Sequence, residues 1–147
     1  GSWTNTTALP TALTTHSSAV SGDYVYVIGG APPALPPTST VRYAQINTST
    51  GALGSWTNTT ALSTGLRWHS SNVSGGYVYV IGDNAGGTTS TVRYALINAN
   101  GTLGSWTNTT ALPTALTTHS SAVSGDYVYV IGGGFVGVTS TVLYFTP

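Results

Sequence analysis

HSSAVSGDYVYVIGG, residues 16–30, occurs again unchanged at 119–133 and in altered form, HSSNVSGGYVYVIGD, at 69–83. A small-residue strand, a Ser-Gly turn and an alternating Tyr/Val strand ending in glycine describe a β-hairpin. Three copies about fifty residues apart describe a repeat protein. Within the hairpin Tyr24, Tyr26 and Ile28 share one face and Val25 and Val27 the other. Both faces are apolar, so the sheet is expected to be covered on both sides.

Working outward, the run GSWTNTTAL at 1–9 recurs at 54–62 and 104–112. Its β-branched threonines favour extended backbone, and we expect a strand over residues 2–7, ended by Pro10. Downstream of the hairpin, the Pro-rich connector APPALPP leads to STVRYAQI at 39–46, and a turn through Asn47 and Gly51 returns to the next Trp strand. The second unit has DNAGGTT before STVRYALI at 90–97, and the third has GGGFVGVT before STVLYFTP. No segment has helical period. The chain divides into units of about 1–53, 54–103 and 104–147.

The double glycines Gly29-Gly30 and Gly132-Gly133, the strand tyrosines Tyr43, Tyr94 and Tyr144, and Trp3, Trp56 and Trp106 together resemble the kelch repeat. The second unit departs from it with Gly82-Asp83, and the Tyr-to-Trp gap is longer than in the usual motif. The resemblance implies an all-β fold of kelch-like β-propeller blades, three four-stranded blades per chain. The order from the axis outward is strand a (Ser17 to Val20), b (Tyr24 to Ile28), c (Ser39 to Ile46) and d from Ser55. Small residues then lie where strands crowd and large ones where they diverge. Three blades are too few to close a ring, which typically takes about 4–8. The expectation is that the N-terminal Trp strand, residues 1–7, completes the third blade of another chain, with Trp3 and Thr4 meeting Val142 and Tyr144. A twofold pair gives six blades, and a rotation that fails to close gives a filament. A slice of a larger kelch propeller and a designed symmetric repeat stand as alternatives, the latter because residues 1–30 and 104–133 are identical.

Composition excludes several partners. Only 4% of the 147 residues are charged, with three basic and three acidic side chains. So few cations make no phosphate-binding patch, which excludes nucleic acid, and the same poverty argues against an anionic membrane surface. No apolar run reaches the roughly 20 residues of a spanning helix. With no cysteine there is neither a disulfide framework nor a thiolate site. The Thr/Ser-rich, nearly uncharged character fits a secreted or cell-surface protein. The sequons at Asn5, Asn47, Asn58, Asn72, Asn100 and Asn108 are candidate glycosylation sites. With no initiator Met and no signal peptide, the sequence reads as a processed protein or a fragment.

Two constellations are candidate sites. His16, His69 and His119 recur at the entry to the inner strand and would ring a channel mouth, where imidazoles titrate or bind metal. The structural alternative is a ring hydrogen-bonded to a neighbouring backbone group. No acidic residue adjoins them, and we expect no metal. In the second unit Arg67, Trp68, His69, Asp83 and Asn84 gather near the b-to-c loop face. An aromatic plate with directional polar groups suits a neutral sugar. Against that, LRWH resembles ordinary kelch sequence. No nucleophile motif or carboxylate pair appears, so no catalytic residue and no cofactor is expected. The functional expectation is a non-enzymatic extracellular scaffold whose partner is itself, with a neutral-glycan-binding propeller as the alternative.

Overall fold

Period-two alternation in each Tyr/Val run produces a strand with apolar side chains on both faces, and every such run sits at the heart of its own antiparallel sheet. The computed structural model describes residues 1–134 and 137–147, and these form eleven strands and no helix. The first sheet has order β1-β2-β3-β4, made of Ser17–Ser21, Tyr24–Ile28, Val41–Gln45 and Thr57–Asn58. The second repeats it with β5 (Ser70–Ser74), β6 (Tyr77–Asn84), β7 (Thr88–Leu96) and β8 (Thr107–Thr109). The third has three strands, β9 (Ser120–Ser124), β10 (Tyr127–Ile131) and β11 (Val142–Phe145). The result is an all-β, propeller-like arrangement of three sheets, and the bounds of the strands that form lie within two residues of those expected except at the end of β6, which runs three residues further.

The register explains the packing. Tyr26 stands opposite both Ala19 and Tyr43, and Ile28 opposite Ser17 and Val41. One face of the first sheet therefore carries Tyr26, Ile28 and Val41, all fully buried against Val78, Val80 and Ala95 of the second. The second sheet repeats the move: Tyr79, Ile81 and Val92 pack on Val128 and Val130 of the third. Tyrosines on adjacent strands meet edge-on in all three sheets, at 5.8 Å (Tyr24–Tyr43), 5.5 Å (Tyr77–Tyr94) and 5.9 Å (Tyr127–Tyr144). Leu62, Leu66 and Leu103 fill the first junction from the connecting segments.

The expectation that both faces are covered holds for the first two sheets and fails for the third. Ile131 is 44% exposed where Ile28 and Ile81 are buried, and Val142 and Tyr144 are exposed as well. The strand expected over residues 2–7 is also absent. A strand is defined by a ladder partner, and this segment has none among the described residues of its own chain, so residues 1–8 lie exposed and irregular.

The second unit differs in its hairpin. Gly30 and Gly133 adopt left-handed backbone (φ 86° and 90°) and turn the chain out of the sheet. At the matching place Asp83 stays in strand, so β6 and β7 continue through Asp83–Thr89 and Asn84–Thr88 pairs after a bulge between Ile81 and Asp83. Asp83 does not share the left-handed backbone of the glycines at the matching places. Of the third connector, Phe135 and Val136 lie outside the described residues.

Candidate functional site

The second-unit constellation divides into a buried half and an open half. Asp83 is wholly buried, and its Oδ2 accepts from Arg93 Nη1 at 2.8 Å. Arg93 reaches it from the neighbouring strand, a partner that sequence reading missed although it lies only ten residues away. Arg67 instead lies over the Trp68 ring, 4.2 Å from its centroid, and Trp68 is 37% exposed. The Asn84 N–H donates to Arg67 O at 3.0 Å, tying the hairpin end to the connector. The five residues are therefore neighbours, yet His69 and Asp83 are buried away from the open half. Trp68 is not specially strained either: Thr15, Trp68 and Thr118 hold equivalent places with φ of 58°, 58° and 54°. The left-handed backbone before each histidine belongs to the fold.

His69 and His119 stand buried between sheets, the arrangement of the structural alternative, a ring bonded to a neighbouring backbone group. His69 is buried, and its Nε2 donates to Ile28 O of the preceding sheet at 3.1 Å. A carbonyl only accepts, so Nε2 carries the proton; Nδ1 is buried with no partner among the described residues. Burial pulls the His69 pKa down to about 4, against the bond to Ile28, which favours the proton. His119 is likewise buried against Ile81 and likewise lowered, burial again dominating, and Ser70 Oγ lies 2.8 Å from its Nε2. His16 occupies the same place in its unit and is exposed. Among the described residues no group of three His, Asp or Glu side chains is placed to hold a metal ion.

The residues expected to meet in assembly are all exposed. Trp3 and Thr4 are exposed at one end of the chain, Val142 and Tyr144 at the other. The N-terminal segment is nevertheless anchored. Leu53 N donates to Thr6 Oγ1 (2.7 Å), Thr7 Oγ1 donates to Leu53 O, and Trp56 Nε1 donates to Thr7 O (3.0 Å). The same three bonds recur one unit later, from Leu103 N to Thr59, from Thr60 to Leu103 O, and from Trp106 Nε1 to Thr60 O at 2.9 Å. Residues 1–7 thus hold the position relative to the first sheet that residues 54–60 hold relative to the second. Sequence identity between the Trp segments is the signal for it.

Of the sequons, Asn5, Asn47, Asn58, Asn100 and Asn108 are exposed. Asn72 is the exception, half-buried with its amide donating to Ser121 Oγ of the neighbouring sheet.

No protein-family model matches the chain, and no curated protein matches it. Among solved structures it is similar to one described as "Structure of YjhT", with a TM-score of 0.75 and 14% identity over 95% of this chain and 44% of the other. The chain spans less than half the length of that structure, and the likeness is one of fold.

Proposed function

We propose that this chain is a non-enzymatic, extracellular structural scaffold of kelch-like propeller blades that assembles with itself by strand exchange. One observation carries the reading. A cavity of about 180 Å³ opens between the second and third sheets, lined among others by Tyr79, Val92, Thr110, Ala111 and Tyr144. At the preceding junction Trp106 packs against the core cluster and donates to Thr60 O. By the repeat, the side chain that belongs in the cavity is Trp3 of a second copy, donating to Thr110 O. The unpaired edge of β11 then takes the following residues as its fourth strand. The pairing follows that of β7 with β8, where Tyr94 faces Thr107, Arg93 faces Asn108 and Val92 faces Thr109. It sets Thr4, Asn5 and Thr6 of the second copy opposite Tyr144, Leu143 and Val142.

Two copies arranged in this way give a closed six-bladed ring. The span supports it: this chain matches 44% of the YjhT structure, so a second copy accounts for most of the remainder. The sparse charge and the exposed sequons support an extracellular setting. Native mass spectrometry of the 147-residue chain tests the reading. The expected result is a species of twice 15.0 kDa that Trp3→Ala or removal of residues 1–5 converts to monomer. A wild-type monomer at high micromolar concentration would overturn it, while a ladder of masses would keep the exchange and replace the ring by a filament.

A second reading, neutral-glycan binding, is favoured by the half-open Trp68 ring beside Arg67. Screening against a glycan panel separates the two. Binding that Trp68→Ala abolishes, with assembly intact, selects the glycan reading.

A further inference from the structure

Strand exchange accounts for the outer edge of the third sheet and leaves its inner end unexplained. At that end each sheet closes on a glycine held left-handed after the isoleucine of its central strand, with φ of 58° at Gly29, 54° at Gly82 and 63° at Gly132. In the first two sheets the next unit is seated there. A Cβ on Gly29 would lie 2.8 Å from Leu66 O and 3.0 Å from His69 Cε1. A Cβ on Gly82 would lie 2.5 Å from Leu116 O and 2.9 Å from His119 Cε1. Glycine is therefore required twice over, by conformation and by the approach of the following unit. At Gly132 the nearest atom to such a Cβ is Thr139 O at 3.4 Å, ordinary contact within its own loop.

The groups that would fill this third cradle are on the same chain and exposed or half-buried at its other end. Leu13 and His16 stand where Leu66 and His69, and Leu116 and His119, stand in the later units. Residues 1–30 repeat 104–133 without a difference, so the surface that receives the second sheet recurs on the first. Backbone bonds between successive units follow the same series, Trp68 N to Thr15 O at 3.1 Å and Thr118 N to Trp68 O at 2.9 Å.

Resting on the strand-exchange reading, we infer that the cradle at Ile131 and Gly132 is a docking site for Leu13 and His16 of a second copy. His16 of that copy donates through Nε2 to Ile131 O, and Leu13 O sits over Gly132. The contact is a second lock, separate from the exchanged strand, and it sets which sheet meets which.

The test measures the self-association constant by sedimentation for wild type, Gly132→Ala, His16→Ala, Trp3→Ala and the control Gly125→Ala. Gly125 has φ of 57° with nothing within 4 Å of a Cβ, so it carries the same backbone cost without the cradle. Gly132→Ala and His16→Ala are expected to raise Kd by at least about tenfold, and Gly125→Ala to leave it within about twofold. Should Gly132→Ala lose its folded circular dichroism, His16→Ala decides alone, because His16 is exposed in the single chain. Cradle variants that associate like wild type, while Trp3→Ala weakens association, would overturn the cradle and leave strand exchange standing. A wild-type chain that stays monomeric overturns strand exchange itself, and the cradle with it.

Discussion

At the scale of the residue, the inter-sheet histidines couple the fold to pH. The His69 pKa falls from its ordinary 6.5 to about 4 in the folded chain, so the unfolded chain takes up the proton first as pH drops. Its contribution is fully present above pH 6.5 and is lost between about 6.5 and 4, on the order of 3 kcal/mol in all. His119 acts in the same direction. Urea unfolding at a series of pH values should show this fall, and His69→Gln should flatten it. The recurrence of histidine was plain in the sequence, whereas its partner was not, because Ile28 O is a backbone atom forty-one residues away. The Asp83–Arg93 pair offers a second check. Arg93→Leu strands a buried carboxylate and should cost about 3–5 kcal/mol. Asp83→Gly with Arg93→Leu copies Gly133 and Leu143 of the third unit and should recover most of that loss, as read by the urea midpoint.

At the scale of the element, the alternation in YVYVI was enough to place β2 and β10 to the residue and to set where β6 begins. Their neighbours were legible to within a residue or two, because Thr-rich flanks are equally at ease inside and outside a ladder. The outer strands were legible as extended chain only, since a ladder needs a neighbour that residues 2–7 lack in their own chain. The extension of β6 was hidden because one non-glycine at residue 83 decides whether the chain leaves the sheet. Junctions with the same residues also differ in what completes them. Tyr26 donates its hydroxyl to Gly101 O of the next connecting turn at 2.9 Å, and burial pushes its pKa up to about 12. Tyr26→Phe should therefore destabilise by about 1 kcal/mol. Tyr79 makes no such bond among the described residues, and Tyr79→Phe should stay within about 0.5 kcal/mol, both measured by chemical denaturation.

At the scale of the whole molecule, threefold repetition was legible and the way the units meet was legible only through it. The sequence shows which residues are equivalent; the structure shows that Ile131, Val142 and Tyr144 lack the cover their equivalents have. A chain that assembles through those residues has a melting temperature that rises with concentration, by mass action. Joining two copies head to tail in one polypeptide should remove that dependence and yield a species that neither dimerises nor loses its dichroism on dilution. The long β6–β7 hairpin breaks the symmetry of the three units, since among the described residues it alone extends two pairs further, to an exposed tip at residues 85–87. In a closed pair every third blade would carry one such finger, and the two would stand half a turn apart at a fixed separation. Anything that grips the finger weakly would then meet a divalent display, whose avidity is set by the ring's diameter rather than by the strength of either grip.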